Sequence, residues 1–205
     1  MENLAEIAKE LEAELDEKDE IREVALKSSR AIARLSGSAL RQILKGEDES
    51  ENLEAARNEA HRLAGVLSGH PDIYYSGFVE NAFQELTEVN ILRSILRNEP
   101  LRGPKDIGVH SVSYLLGLGD VVGELRRLAL DSLIEGDVGN AQDFLRKMEA
   151  IYETIIQFDY PSALVSIRRK QDIARSLIEK TRGEIAVASR GSALEKKIED
   201  MEKRL

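Results

Sequence analysis

The sequence contains no cysteine and no tryptophan, and only 4 of its 205 residues are proline. The absence of cysteine excludes disulfide bonds and thiolate metal sites, so any metal must be held by oxygen or histidine ligands. With so few prolines, long stretches of the chain have nothing that would interrupt a helix. Aromatic residues make up 4% of the chain, so the core must consist mainly of aliphatic side chains.

Long apolar runs are also missing, because no stretch of about 18 apolar residues is available to span a bilayer. The N-terminal MENLAEIAKELEAELDE is too charged for a signal peptide. We therefore expect a cytoplasmic protein with no membrane partner. The net charge is −9, from 38 acidic and 29 basic residues. Taken as an average, this argues against nucleic acid, whose binders usually present a basic surface, so the charge on each helix has to be considered separately.

Apolar residues recur at helical spacing along nearly the whole chain, and no segment alternates as a strand does. The pattern predicts an all-α bundle of six to seven long helices in a single domain, 1–205. The predicted helices cover about 2–45, 51–68, 73–98, 111–135, 139–157 and 161–187. We also predict a hinge at 16–19 and a break at 189–192 that leads into a charged C-terminal helix or tail.

The third predicted helix carries a carboxylate where an apolar side chain is expected. Glu85 shares a stripe with apolar residues at helical spacing, namely Phe78, Ala82, Val89, Leu92 and Leu96. This spacing places Glu85 near the middle of the apolar face, where a carboxylate is costly unless it is paired, protonated or bound to a metal. Glu88 lies one turn further on, so the two could reach one ligand. Alternatively, Glu85 pairs with a buried arginine, or the helix turns it towards solvent.

The fourth predicted helix supplies a second acid pair, Asp120 and Glu124, which are four residues apart on one face. Gly117, Gly119 and Gly123 lie in the same helix, where each glycine costs about 1 kcal/mol relative to alanine. They indicate either a close approach to the backbone or tight helix packing. Two carboxylate pairs on separate helices can form the oxygen-only site that Mg²⁺ or Mn²⁺ prefers. The three histidines show no metal-ligand spacing, so we expect caps, loop residues or surface residues at His61, His70 and His110.

The first predicted helix carries a basic stripe that holds no acid. Its members fall within about 60° of arc and are Lys27, Arg30, Arg34, Arg41 and Lys45. Charge sorted in this way suits the tracking of a phosphate backbone. The alternative is an ordinary solvated helix face with ion pairs to neighbouring acids.

Several segments together resemble the translin family. YLLGLGDVVGELR at 114–126 is similar to the most recognisable stretch of that family, and FQELTE at 83–88 is similar to its FQE motif. The Gly136-Asp137 junction, FLR at 144–146 and KQDIAR at 170–175 resemble the family as well. The resemblance is closest over about 108–187, weaker over 78–92 and weakest over 20–68.

The residues present match the catalytic, translin-associated factor X branch of this family. That branch carries both glutamates of a QExxE motif and an aspartate in a GxxDxxGE stretch, and here these positions hold Glu85, Glu88 and Asp120. The resemblance implies a Mg²⁺-dependent endoribonuclease, a phosphodiester hydrolase, within a hollow oligomer whose chamber holds short RNA. It implies metal ligands at Glu85, Glu88 and Asp120, with Glu124 completing the catalytic set.

One departure bears on the RNA contacts. The arginine- and histidine-rich segment that translin carries before its FQE motif is replaced by HPDIYY at 70–75. We therefore expect the basic stripe to bind the RNA. The expected partners are short or single-stranded RNA, single-stranded DNA as a further candidate, and other subunits. Those subunits form either a homo-oligomer, an octamer by resemblance, or a hetero-oligomer with a translin-like protein.

Two other functions compete with the nuclease hypothesis. The first is a non-catalytic translin-like protein that binds RNA or single-stranded DNA or acts as a scaffold. The second is a ferritin-like metal oxidase, which usually requires Glu-x-x-His on facing helices, and that motif does not occur in this sequence.

Overall fold

The computed structural model describes residues 3–203, except for the side chains of Glu195, Lys196 and Glu199. All regular elements in that range are helices, which confirms the all-α prediction. The long helices are α1 (Leu4–Lys45), α2 (Ser50–Val66), α4 (Gly77–Leu96), α6 (Ser111–Ile134), α7 (Val138–Ile155) and α8 (Arg168–Glu202). Short helices α3 (Pro71–Tyr74) and α5 (Pro104–Ile107) and a 3-10 turn at Leu67–Gly69 lie in the connections. Among the described helices, none combines the length and apolar character needed to cross a bilayer.

Local signals explain where two of the helices begin and end. Gly46 follows α1 in the left-handed conformation, with φ of 70°, and its N–H donates to the carbonyls of Gln42 and Ile43. Left-handed backbone suits glycine because it has no Cβ. At the start of α7 the Asp137 side chain accepts a hydrogen bond of 2.9 Å from the Asn140 backbone N–H. These boundaries agree with the sequence prediction to within a residue or two.

Other predicted boundaries were wrong. The helix predicted at 73–98 is interrupted between α3 and α4, because Ser76 adopts extended backbone with ψ of 150°. The helix predicted from 161 begins only at Arg168, after turns at 162–164. The predicted hinge at 16–19 and break at 189–192 are both continuous helix. One glycine and two serines at 189–192 weaken a helix by only about 1 kcal/mol each at most, which does not force a break.

The chain divides into two compact units, with the boundary between Tyr114 and Leu115. In unit 1, α1 and α2 run antiparallel, because the Asn52 side chain bonds Gln42 at 2.8 Å and that of Arg62 bonds Ser28 at 2.6 Å. The apolar core of this unit is formed by α1, α2, α4 and the α5 segment, and includes Ile32, Leu53, Leu63, Phe83, Leu86 and Ile107.

Helices α1 and α4 of unit 1 run in the same direction. Lys18 pairs with Asp72, just before α4, at 3.4 Å. At the other end, Ile43 and Leu96 line the same small cavity. Because all α-helices rise equally per residue, counting back from Ile43 and Leu96 gives the approximate register between α1 and α4.

Unit 2 contains α6 from Leu115 onwards, α7 and α8. Its fully or nearly fully buried aliphatic and methionine side chains include Leu125, Ala129, Met148, Ile155, Ala174 and Ile178. Arg126 of α6 donates to Thr181 at 2.6 Å and to both carboxylate oxygens of Glu184 at 2.8 and 2.9 Å. The Gln171 amide donates to the carbonyls of Ile155 and Phe158, which attaches α8 to the end of α7. The single domain predicted for 1–205 stays a prediction.

Candidate active site and basic face

Glu85 lies on the exposed strip of α4, together with Gly77 and Asn81. Its predicted place in the middle of a buried apolar face was therefore wrong, and the helix turns the carboxylate outward. The reason lies in the surroundings of α4, whose buried residues occupy most of its circumference. Apolar residues therefore occur at almost every angle of this helix, and the stripe chosen from the sequence does not mark its most deeply buried side.

The environment of Glu85 still differs from open water. Neighbouring protein atoms displace part of its hydration, and this desolvation raises the pKa of the carboxyl group. Glu88 is half-buried one turn further along α4. The structure therefore provides a pair of carboxylates on one side of unit 1, and the Glu85 carboxylate has a greater affinity for protons than a fully hydrated glutamate.

The second acid pair lies on α6 in unit 2. Asp120 is half-buried and forms an ion pair with the ammonium group of Lys170 on α8. A Cβ atom added to Gly119 would lie 3.0 Å from the Cβ of Lys170. Glycine at 119 thus allows the Lys170 stem to pass close to α6, which confirms for this position the predicted close approach to the backbone. At Gly123 the prediction was wrong, because in the described structure no side chain comes within 4 Å of the added Cβ position.

Glu124 has an unusual oxygen atom. Its Oε2 is buried, and no hydrogen-bond donor reaches it within the described part of the chain. The nearest cation is Arg127, whose Nη1 lies 3.7 Å away, which is too long for a hydrogen bond. A buried carboxylate oxygen without a donor is costly, so this atom is available to a ligand.

These carboxylates match the chemistry of a hard divalent cation, since Mg²⁺ binds through oxygen atoms and takes only one or two protein carboxylates. Glu124 Oε2 fits such a role because no hydrogen-bond donor reaches it in the described structure. Asp120 fits less simply, because the Lys170 ammonium group already neutralises it. Among the side chains that the structure describes, no group of three or more acidic, histidine or cysteine residues is arranged to hold a metal ion.

The basic stripe of α1 is exposed as predicted, at all five positions from Lys27 to Lys45. Residues 24–45 contain no acidic residue, whereas 6–23 are rich in Asp and Glu. Arg41 donates to Ser38 at 3.0 Å, and in the described structure none of the five is engaged in an ion pair. The alternative of ion pairs with neighbouring acids is therefore not found for these five residues, which form an exposed, solvated basic stripe.

The stripe and the first acid pair lie at the same level of unit 1. The parallel register between α1 and α4, set by Lys18 with Asp72 and by Ile43 with Leu96, places Arg30 and Arg34 level with Glu85 and Glu88. Unit 1 thus combines, at one height along its helices, cationic groups suited to phosphate and a partly desolvated carboxylate pair.

A sequence model described as the Translin family matches residues 16–182. The chain belongs to the Translin family. All four acids of the two pairs and all five residues of the basic stripe lie inside the matched range. Residues 1–15 and 183–205 lie outside it.

Known members and solved structures agree with membership in the Translin family. An uncharacterized protein of Methanocaldococcus jannaschii is 32% identical over 172 residues, which cover 83% of this chain and 78% of that protein. The crystal structure of AfC3PO is similar with a TM-score of 0.81 at 33% identity, covering 90% of this chain and 97% of that chain. The structure of AfC3PO in complex with duplex RNA is similar with a TM-score of 0.70 at 31% identity, and the match again covers 90% of this chain and 97% of that chain. Apo-NeC3PO, with a TM-score of 0.69 at 24% identity, shows the shared fold; the match covers 92% of this chain and 98% of that chain.

Sequence reasoning missed two features of this translin-family chain. The pairing of Lys170 with Asp120 joins residues far apart in sequence, and no local pattern indicates it. The second feature is the environment of His110, which is 8% exposed and surrounded by aromatic rings. Its Nδ1 accepts a hydrogen bond of 3.1 Å from the Ser113 backbone N–H, which confirms the predicted role as a helix cap.

Proposed function

We propose that this protein is the catalytic subunit of a metal-dependent endoribonuclease, of the factor X type, that binds and cuts short or single-stranded RNA. The observation that carries the proposal is the acid-free basic face of α1 at the level of the partly desolvated Glu85 and Glu88. Together these groups provide for binding a phosphodiester and for holding a divalent cation through carboxylate oxygens.

Two observations support RNA as the ligand: the positive charge of the basic stripe and a solved relative in complex with RNA. The five exposed cations of the basic stripe are free of protein acids in the described structure, so binding of phosphate requires no ion pair to be broken. Among the solved relatives is a complex of AfC3PO with duplex RNA, at 31% identity to this chain.

The four carboxylates would have different roles in the site. Desolvation raises the pKa of Glu85, and a bound cation would favour its charged form. Asp120 is held in one orientation by Lys170, and Glu124 offers a buried oxygen without a donor. Glu85, Glu88 and Asp120 are the proposed Mg²⁺ ligands, with Glu124 completing the catalytic set.

A bound Mg²⁺, or Mn²⁺ in its place, supplies Lewis acidity that neutralises charge developing on the phosphate. The protein groups contribute the remaining requirements. The basic stripe holds the backbone in place, and the acid pairs are fixed on α4 and α6 instead of on mobile loops. Positioning of this kind is the larger part of catalysis in phosphoryl transfer.

Assembly into a hollow oligomer forms part of the proposal. An octamer of this chain, or a hetero-oligomer with a translin-like subunit, would enclose the bound RNA. Such an arrangement would explain why a protein of net charge −9 keeps an acid-free basic stripe over residues 24–45. The acidic surface, which repels RNA, would then lie on the outside of the oligomer and away from the bound RNA.

The direct test is cleavage of an end-labelled single-stranded RNA by the purified protein. Cutting at internal positions with Mg²⁺, lost on addition of EDTA and restored by excess Mg²⁺, supports the nuclease. The rival function is a non-catalytic RNA-binding or scaffolding member of the family. Binding of the RNA without any metal-dependent cutting would establish that rival and overturn the nuclease.

A further inference from the structure

Helix α1 carries opposite charges in its two halves, on one and the same side of the helix. Its segment 4–20 holds eight acidic and two basic residues, and every side chain of that segment is exposed. At about 100° per residue, four acids share the side of the basic stripe, and all nine charges fall within roughly 80° of arc. We call these four residues the acidic row: Glu12, Asp16, Glu20 and Glu23. Lys9 lies on this side as well and is the exception to the sorting.

The acidic row is available for contact. Buried residues of α1 begin at Ala25, so in the described structure the segment 4–20 is not enclosed by other parts of the chain. Glu23 pairs with its own neighbour Arg22 at 3.1 Å, and among the described residues the other three acids of the row have no ion-pair partner. The acidic row, like the exposed basic stripe, is therefore accessible to a charged surface from outside the chain.

The order of charges makes this side of α1 complementary to itself in the reverse direction. Read from the N-terminus, the acidic row comes first and the basic stripe follows. A second α1 can be laid antiparallel so that facing residue numbers add up to 50. Arg41 then faces Lys9, so the contact ends before the C-terminal part of the stripe. Two-fold symmetry forms each ion pair twice, and the facing pairs are Glu23 with Lys27, Glu20 with Arg30, and Asp16 with Arg34.

We propose that the acidic row of one copy of this chain docks on the basic stripe of a second copy, through antiparallel α1 helices. Charge complementarity selects this occupant. A nucleic-acid strand matches the basic stripe alone and is repelled by the acidic row, whereas a reversed copy of the same helix matches both. A two-fold contact of this kind is also the commonest arrangement between identical subunits.

The contact is expected to be weak and sensitive to salt. Exposed ion pairs each contribute little, and salt at 0.1 M screens exposed charges over about 10 Å. The pairing therefore gains most between subunits that are already held together in an oligomer, where the effective concentration is high. Nucleic acid would have to displace the acidic row to reach the same cations. This competition, unlike the pairing itself, rests on the proposed RNA binding.

The absence of cysteine allows a test by site-specific crosslinking of the full chain. The double variant Glu20→Cys with Arg30→Cys places thiols at facing positions of two copies. Within one chain these thiols lie about 15 Å apart along α1, too far for a short bismaleimide to join them. We expect a covalent dimer on a denaturing gel at low salt and its loss at about 1 M salt. The matched control, Glu10→Cys with Arg30→Cys, changes the charge equally but puts the first thiol on another side of α1, so no covalent dimer should form.

Charge reversal provides a second arm in the same cysteine background. Asp16→Lys alone, or Arg34→Glu alone, makes the facing charges alike and should reduce crosslinking roughly 2- to 30-fold, because each reversal affects two symmetry-related pairs. The two reversals together place opposite charges at facing positions again and should restore the yield. Circular dichroism checks that each variant remains helical. Equal crosslinking in the control pair, or a double reversal that restores nothing, would refute the contact.

A single-stranded oligoribonucleotide separates this inference from the proposed function. Crosslinking should fall over the RNA concentrations at which fluorescence anisotropy of a labelled strand shows binding. If RNA binds and no crosslinked dimer forms at any salt concentration, the α1 contact is refuted and RNA binding stands. If the dimer forms and no strand binds, the contact stands and the proposed RNA binding is refuted. A yield that stays constant while RNA binds refutes the competition.

Discussion

The ammonium group of Lys170 on α8 pairs with the carboxylate of Asp120 on α6, and the glycine next to Asp120 lets the lysine stem approach. Each half of this relationship explains the other. A side chain at 119 would push Lys170 away, and without Lys170 the half-buried Asp120 carboxylate would lack its counter-charge. A divalent cation that binds Asp120 must therefore share this carboxylate with Lys170 or displace the ammonium group.

Gly119→Ala tests the close approach. The added Cβ would lie 3.0 Å from the Lys170 Cβ, an atom near the backbone that cannot swing away easily. We expect the free energy of unfolding to fall by about 1 kcal/mol or more, as for other overpacked sites. The control is Gly123→Ala on the same helix, where the added atom meets nothing within 4 Å. It should raise stability by up to about 1 kcal/mol, because alanine is the better helix former. Urea denaturation that ranks the two variants equally would contradict the packing argument.

Glu85→Gln is expected to stabilise the protein at neutral pH. Desolvation raises the pKa of Glu85 in the folded state, so ionisation of this group costs folding free energy at pH values above its raised pKa. The increase in the free energy of unfolding on Glu85→Gln should be largest at pH 7 to 8. It should shrink as the pH falls through the raised pKa towards the ordinary glutamate value of about 4.3. Thermal unfolding across this range measures the difference, and a gain that does not depend on pH would mean that charge is not its cause.

His110 should make the stability of unit 1 sensitive to mild acid. Burial lowers the pKa of its ring, so the folded state prefers neutral imidazole. Protonation would also occupy the Nδ1 atom that accepts from Ser113. Stability should be complete above the unfolded pKa of about 6.5 and should be lost as the pH falls below it.

The test for His110 compares urea denaturation at pH 7.5 and pH 5.5. We expect the free energy of unfolding of the wild type to be about 1 kcal/mol lower at pH 5.5 than at pH 7.5. His110→Asn keeps a capping acceptor but cannot titrate, so most of that loss should disappear. His61→Asn, at an exposed position, serves as the control and should behave like the wild type. Equal losses in His110→Asn and the wild type would exclude His110 as the titrating group.

Charge reversal at Arg30, Arg34 and Arg41 tests the basic stripe. The triple glutamate variant should bind single-stranded RNA more weakly, and the slope of log Kd against log salt should flatten by about 2, because three phosphate contacts are lost. Reversal of Arg146, Arg168 and Arg175, which are exposed but ion-paired in unit 2, provides a control of equal charge change. If both variants lose affinity equally, net charge and not the stripe governs binding.

Periodicity in the sequence predicted the helices well because each long helix has its own apolar pattern and few prolines interrupt the chain. It failed at Tyr75 and Ser76, where a short turn separates α3 from α4 without a strong breaker. It failed again at 189–192, where a glycine and two serines lie inside α8.

The site was predicted only in part, for reasons of the same kind. The exposure of the basic stripe follows from one helix alone, so its sequence sufficed. The orientation of Glu85 depends on how many neighbours enclose α4, which a single-helix pattern does not contain. The partners of Asp120 and His110 come from segments distant in sequence, so only the folded chain reveals them.

The central claim is that these acids cut RNA while the basic stripe binds it, and one variant tests it most directly. Glu85→Gln, Glu88→Gln and Asp120→Asn combined should reduce Mg²⁺-dependent cleavage by at least ~100-fold, since each change removes charge from the reacting centre. Affinity for the same RNA, measured on the same preparation, should remain. The control replaces neighbouring acids on the same helices, with Glu80→Gln and Asp131→Asn, and should cut as the wild type does. Cleavage by the triple variant at the wild-type rate would contradict the nuclease assignment.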